Sequence, residues 1–304
     1  MPLKRVVAIT GCDSGLGWAI AARTAREGLI TVAGMLRGTE TDASRALKNL
    51  SAYPYSLDVT NINSVVGFHE YVQSVINDHP DSTLYAVVNN AGVMTIGDYE
   101  WQTPKIIENT VNVNLLGPMR VVSSFLPELR KSAKNNLVRP RIINVASHCG
   151  LQPLPGFGPY SASKAGLLAW TRSLRHEQSE YGLNVVAFIP GGFITSSNLM
   201  SYQKDQGDDM MEHLSEEQRA LYSKKIKTLC TYLGAAANEA RFDSMKDENI
   251  IETFVKALMD EQPKELYKVE SWRYKFYYNL FKLPLSDGLH RWLINKFLNF
   301  PQVA

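Results

Sequence analysis

Short apolar runs alternate with stretches of helical periodicity along the first two-thirds of the chain. That pattern predicts βαβ units around a parallel sheet. Residues 5–10 read as a buried first strand, followed by a glycine turn and a helix reaching about residue 27. Further strands are expected over 29–36, 53–57, 84–88, 141–145 and 184–189. Thr60 or Asn61 caps a helix that carries Ile62, Val65, Val66, Val72 and Ile76 at helical spacing. A long helix is expected over 103–131, bent or broken at Pro118, whose ring removes a backbone donor. Residues 161–181 read as another helix.

After Thr195 the pattern changes. Residues 198–249 are polar and charge-rich with a helical stretch over 215–232, and 266–269 read as a last strand. From Ser271 onward the chain is dense in aromatics, among them Trp272, Tyr274, Phe276, Tyr277, Tyr278, Phe281, Trp292, Phe297 and Phe300. The expected architecture is one α/β domain over 1–270, a doubly wound parallel sheet of about seven strands. A helical substrate lid is expected at about 196–241, and a C-terminal helical extension over 271–304. The extension closes an apolar substrate pocket, or lies on a membrane with Lys275, Lys282, Arg291 and Lys296 at the headgroups, or is simply a helix pair packed on the body, the reading favoured.

Composition narrows the function classes. The 304 residues are 45% hydrophobic and carry 32 basic against 30 acidic side chains, a net charge of +2. No strong basic excess marks a nucleic-acid footprint. Three separated cysteines, Cys12, Cys149 and Cys230, form no CxxC pair, and six histidines form no HExxH cluster. Neither a disulfide scaffold nor a metal is expected. The apolar run at the N-terminus stops at Thr10-Gly11, too early for a signal peptide. No window of about 18 uncharged apolar residues is present. The chain reads as cytoplasmic, or peripheral on an intracellular membrane.

Thr10-Gly11-Cys-Asp-Ser14-Gly15-Leu16-Gly17 joins the first strand to the first helix. Glycines there allow a tight turn and close approach to a pyrophosphate, while the helix N-terminus supplies amides and a positive dipole end. The reading is a Rossmann-type dinucleotide site. An NAD-preferring site offers a carboxylate about 20 residues on, at the ribose 2′-hydroxyl. The count from Gly17 reaches Leu36 and Arg37, and no acid lies between Glu27 and Glu40. Arg37 suits a 2′-phosphate, so NADP(H) is favoured over NAD(H). Asp58, with Val59 after it, fits the adenine, and Asn89-Asn90-Ala91-Gly92 fits the cofactor's ribose.

Tyr160 and Lys164 stand four apart, on one face of a helix. A free tyrosine titrates near ~10, and a neighbouring ammonium lowers that value toward a useful acid/base. Tyr278 and Lys282 share the spacing, so the pair alone decides nothing; only the first follows a strand ending in Asn144-Val-Ala-Ser147-His-Cys-Gly150. With TGxxxGxG, NNAG, a serine thirteen residues before YxxxK, and Pro190-Gly191 leading to Thr195, the chain over about 4–195 resembles the short-chain dehydrogenase/reductase family. The resemblance implies Tyr160 as acid/base and Lys164 as the group that holds the nicotinamide ribose and tunes the phenol. Ser147 would polarise the substrate oxygen, and Asn114, in Asn114-Leu-Leu-Gly117, would anchor a proton-relay water, with Asn112 as the bland alternative. Pro190, Gly191, Phe193 and Thr195 would meet the nicotinamide.

TGCDSG, Pro190-Gly-Gly-Phe-Ile-Thr195 and the tail are similar to the branch of retinol, 17β-hydroxysteroid and D-3-hydroxybutyrate dehydrogenases. The expected activity is hydride transfer between NADP(H) and a secondary alcohol or ketone of a steroid- or retinoid-like molecule. The alternatives are a short-chain 3-hydroxy acid, whose carboxylate needs a cation, and a catalytically silent nucleotide-binding regulator. A homo-oligomer is expected. Cys149 reads as packing, and His148 as no partner for Ser147, because adjacent strand residues point apart.

Overall fold

The computed structural model describes residues 3–134, 139–192, 198–200, 202–237, 241–245 and 247–301. Strands β1 (Lys4–Thr10), β2 (Ile30–Met35), β3 (Tyr53–Ser56), β4 (Ser82–Asn89), β5 (Arg141–Val145), β6 (Asn184–Ile189) and β7 (Leu266–Lys268) form one sheet. Its order is β3-β2-β1-β4-β5-β6-β7, with every neighbouring pair parallel. The helices are α1 (Gly15–Arg26), α2 (Asp42–Asn49), α3 (Ile62–Asn77), α4 (Pro104–Val111), α5 (Gly117–Lys134), α6 (Gly158–Ser179), α7 (Gln203–His213), α8 (Glu216–Ala237), α9 (Glu248–Met259), α10 (Trp272–Leu280) and α11 (Asp287–Leu298).

Alternate strand residues feed two cores, one on each face of the sheet. Val7 and Ile9 enter the first, with Leu16 and Ile20 of α1, Leu47 of α2 and Phe254 of α9. Val6 and Ala8 enter the second, with Phe68 of α3, Phe125 of α5 and Leu174 of α6. Burial on both faces explains why the strands read as continuous apolar runs. From β1 the chain winds outward through β2 and β3, then returns to β4 on the other side. That reversal opens a crevice at the carboxyl ends of β1 and β4, where ligands of such sheets bind.

Asn61, not Thr60, caps α3: its Oδ1 accepts from the Asn63 amide at 2.9 Å. Thr60 is held instead by Asp58 Oδ1, at 2.8 Å to its amide and 2.7 Å to its hydroxyl. The helix expected over 103–131 is two helices, and the break precedes Pro118. Asn112–Leu116 form a π-turn in which the Gly117 amide donates to the Asn112 carbonyl, five residues back. Pro118 then falls in the first turn of α5, where a missing donor costs little. It cannot donate to the Asn114 carbonyl, which therefore lacks the partner an α-helix would supply.

The lid region forms a hairpin of α7 and α8. Met210, Leu214, Ile226 and Cys230 bury against Trp101 and Ile106, and Lys225 reaches Asp98 at 2.7 Å. The tail packs on the body, as favoured. Tyr278, Phe281, Leu293, Ile294 and Phe297 bury with Met94, Ile96, Leu154, Phe157 and Tyr160. Arg273 ties α10 to α11 by donating to the Phe297 carbonyl at 2.6 Å. Among the described residues no helix is long and apolar enough to cross a membrane.

Candidate active site

One cavity of about 800 Å³ runs along the carboxyl edge of the sheet, from Arg37 to the aromatic tail. Its floor is the glycine loop. Gly11 has φ +73°, which favours glycine. A Cβ on Gly17 would lie 2.0 Å from the Gly11 carbonyl oxygen and 2.4 Å from Asn90 Nδ2. The loop is tied to the NNAG turn, since Asn90 Nδ2 donates to the Thr10 and Gly11 carbonyls at 3.0 Å each. Thr10 Oγ1 accepts from the Asn90 and Ala91 amides at 3.1 and 3.0 Å. The Asn90 side chain therefore shapes the site as well as lining it. The Gly15 amide is taken by the Phe242 carbonyl at 3.0 Å, which leaves the Leu16 and Gly17 amides of the first turn for an anion.

Beside the end of β2 stands a carboxylate that counting forward from Gly17 missed. Asp13, inside the glycine loop, accepts from the Leu36 and Arg37 amides at 2.8 Å each. The signal was an acid within the loop itself. Arg37 is exposed and lines the mouth of the cavity with Asp58 and Val59.

At the other end stand Ser147, Tyr160 and Lys164. Ser147 follows β5, and its Oγ accepts from the Cys149 amide at 3.2 Å. A Cβ on Gly150 would come within 2.7 Å of the Lys164 carbonyl group, so Gly150 lets α6 close on this loop. The closure sets Tyr160 beside Ser147 at the same end of the cavity. Lys164 Nζ reaches down to the Val145 carbonyl at 2.9 Å.

Burial governs both titrating groups, contrary to the expectation that Lys164 would bring the phenol down. It pushes the Tyr160 hydroxyl well above its ordinary range, assisted by Cys149 and Tyr274 and opposed by the Ser147 hydrogen bond. Burial also lowers Lys164 from 10.5 to about 8. The ammonium is thus the less settled member of the pair.

Asn114 lies behind the cavity wall and is fully buried. Its Oδ1 accepts from the Val93 amide at 2.8 Å, and its Nδ2 donates to the Val93 carbonyl at 2.9 Å and Ser163 Oγ at 3.1 Å. The side chain clamps the loop after NNAG to α6. Residue 118, four positions on, is a proline and has no amide to donate to the Asn114 carbonyl. A side chain at Gly92 would meet both Asn114 Oδ1 and Lys164 Nζ, at 3.3 and 3.6 Å.

Gly11, Ser14, Leu16, Gly17, Asn90, Ala91, Gly92, Pro190 and Gly191 line the cavity as expected, while Gly15 is buried beneath it. Phe193 and Thr195 lie outside the described residues. Sequence reasoning missed the lining by His148, Cys149, Asp205, Asp209, Tyr274 and Tyr278. The expected lid over 196–241 covers Asp205 and Asp209, and the density of aromatics in the tail pointed to Tyr274 and Tyr278. Among the described residues no His, Cys, Asp and Glu cluster could hold a metal.

The family model described as short chain dehydrogenase matches residues 5–207. The chain belongs to the short-chain dehydrogenase family. Retinol dehydrogenase 7 of Rattus norvegicus is 32% identical over 294 residues, 95% of this chain and 88% of the relative. The mitochondrial D-beta-hydroxybutyrate dehydrogenase of Mus musculus is 30% identical, over 77% of this chain and 70% of its own. Among solved structures, a short-chain dehydrogenase from Streptomyces avermitilis superposes with a TM-score of 0.68 at 23% identity, covering 97% of each chain. This short-chain dehydrogenase is an NAD(P)-dependent oxidoreductase acting on CH–OH groups. Its glycine loop and the NNAG turn, free of Cβ atoms at Gly11, Gly17 and Gly92, fit such a dinucleotide.

Proposed function

We propose that this short-chain dehydrogenase interconverts a secondary alcohol and a ketone on a lipophilic, steroid- or retinoid-like molecule, with NADP(H) as hydride carrier and Tyr160 as proton-transferring group. The observation that carries the reading is the placing of Tyr160 beside Ser147 at the end of a cavity walled by Leu154, Phe157, Phe297 and the tail tyrosines. The dinucleotide, when bound, supplies or accepts the hydride, and the protein orients it. A Tyr160 held protonated by burial suits donation of its proton to a carbonyl oxygen, with Ser147 Oγ as a second donor to that oxygen. Lys164 would hold the nicotinamide ribose and pass a proton toward Tyr160 through a water at the Asn114 carbonyl. A small hydroxy acid fits less well. The cations lining the cavity, among the described residues, are Arg37 at the nucleotide end, Lys164, and Arg273, which is engaged by main-chain carbonyls of α11. His148 is held below its ordinary pKa, chiefly by burial.

The choice of NADP(H) rests on Arg37. The Asp13 carboxylate beside it spends both oxygens on main-chain amides, and the exposed guanidinium would pair with a 2′-phosphate.

We also infer that the outer face of the tail rests on a membrane. Trp272 and Trp292 are 78% and 58% exposed, and Phe276, Leu283 and Leu289 are exposed with them. Trp272, Phe276, Leu280 and Leu283 line one shallow apolar groove with Lys275 at its edge. Lys282, in the connection between α10 and α11, and Arg291 and Lys296 of α11 are exposed as well. Aromatics among cations match an anionic bilayer surface.

Three outcomes are expected. Tyr160→Phe lowers ketone reduction by at least about 100-fold while NADPH still quenches tryptophan fluorescence; an unchanged rate contradicts the proton-transfer role, and a wild type that binds cofactor but turns over no carbonyl favours the regulator. NADPH binds more tightly than NADH in titration calorimetry, and Arg37→Ala weakens NADPH about 10-fold or more with little effect on NADH; equal affinities in the wild type reduce Arg37 to a surface charge. The protein sediments with vesicles of phosphatidylcholine and phosphatidylserine, and the Trp272→Ser, Phe276→Ser double variant stays in the supernatant; a wild type left in the supernatant rules the membrane contact out.

A further inference from the structure

Residues 93–97 follow the NNAG turn, are largely buried, and belong to neither helix nor strand. Their main-chain groups enter no ladder and need partners from elsewhere. Two carboxamides supply them at alternate ends of the stretch. Asn114 takes both the amide and the carbonyl of Val93. Gln203, the first residue of α7, does the same for Ile96: its Oε1 accepts from the Ile96 amide at 3.0 Å, and its Nε2 donates to the Ile96 carbonyl at 2.8 Å. A carboxamide copies a peptide group, with an acceptor on one side and a donor on the other.

The two clamps differ in origin. Asn114 belongs to the body, whereas Gln203 comes from the lid and is 0% exposed behind the cavity wall. Its neighbours on α7, Tyr202, Asp205, Gln206 and Asp209, line the cavity. Ile96 packs in one cluster with Met94, Leu154, Phe157 and Tyr160. The Gln203–Ile96 pair therefore joins the lid helix to the wall of the reacting pocket. Other contacts hold the lid without fixing its register. The apolar packing of Met210, Leu214 and Ile226 is non-directional. Lys225–Asp98 and Tyr222–Glu100 lie at the surface, where water weakens them. The buried pair is directional at both ends, and a slip of about 1 Å breaks both bonds.

We propose that Gln203 is a positioning residue for the substrate: by holding α7 against the Ile96 main chain it sets the width of the cavity between the lid helix and the wall at Tyr160, and so governs the binding of the substrate and not that of the dinucleotide. The proposal rests on the reading of that end of the cavity as the substrate site. The dinucleotide floor has its own ties, made by Thr10 and Asn90, and none of them passes through Gln203.

Gln203→Glu tests positioning against a merely structural role, because a carboxyl group replaces the carboxamide only while protonated. The acid accepts from the Ile96 amide and donates to its carbonyl; the carboxylate has no proton to donate and sets its charge against that carbonyl. Burial raises the pKa of a carboxylic acid by up to about 3–5 units, which brings the change into an assayable range. The titratable group against this side chain is the Cys230 thiol, 3.8 Å from Nε2, which burial holds above its ordinary range and which feels Asp208. With 2-decanone and progesterone as probes, the KM of Gln203→Glu relative to wild type is expected to be at least about 10-fold higher near pH 9 and to fall within about threefold near pH 6. Its kcat is expected to stay within about threefold, and its affinity for NADPH in calorimetry within about twofold. Gln203→Met, which fills the space without the bonds, is expected to show the raised KM at every pH. An unchanged KM in both variants overturns the inference and leaves the proposed function standing. So does a loss of kcat or of folded protein with KM unmoved, a raised KM in Gln203→Glu that does not recede at low pH, or the failure of both variants to fold. Reduction of neither ketone by the wild type, with NADPH or with NADH, overturns the proposed function and the inference with it.

Discussion

The constraint on which the site depends is the burial of the Lys164 ammonium group. Lys164 is 5% exposed, and its one protein acceptor among the described residues is the Val145 carbonyl. A fall from 10.5 to about 8 corresponds to about 3 kcal/mol of folding stability forgone at neutral pH, where the group is charged in both the folded and the unfolded chain. Among the described residues no carboxylate counters the desolvation of Lys164. The neighbours of Lys164 are arranged to keep the space around Nζ open: Gly92 carries no side chain toward it, and Asn114 is turned to hold Val93 and Ser163. A strained or costly group that the fold keeps is expected at a functional centre, where a ligand repays what the protein alone does not.

The rest of the cleft follows from bringing three strand ends together around that group. Thr10, Asn89 and Val145 end adjacent strands, and each contributes to the tie between loops. Thr10 binds the NNAG turn, Asn89 binds Asn144 at 2.8 Å, and Val145 receives Lys164. The π-turn before Pro118 rotates Asn114 into line with Ser163 and leaves its carbonyl without an α-helical donor. Gly150 then admits the backbone of α6 at Lys164. Removing any one of these contacts would shift the phenol of Tyr160 relative to Ser147, and proton transfer is steep in such distances.

Much of this was legible along the chain, for a physical reason. Parallel strands buried on both faces read as apolar runs, and Gly11, Gly17 and the Tyr160–Lys164 spacing express backbone and helix geometry that is local. What escaped was settled by packing between distant segments. The break before Pro118 arises because an extra residue fits in the turn, which periodicity does not show. Asp13 lies inside the glycine loop, where a forward count never looks, and reaches the β2 end only through the fold. Tyr278 shares its spacing to a lysine with Tyr160 and looked like a chance repeat. Its place in the site depends on α10 folding back over Cys149. The direction of the Tyr160 pKa went astray because the ammonium is visible in sequence and desolvation is not.

The most direct measurement is the ionisation of Lys164 itself, followed by NMR of protein carrying isotope-labelled lysine, with Lys164→Met used to assign the signal. An amine titrating near pH 8 in the free protein, and shifting when NADP(H) or NAD(H) binds, is the predicted result. An amine that titrates at the ordinary lysine value and ignores the dinucleotide would contradict the account.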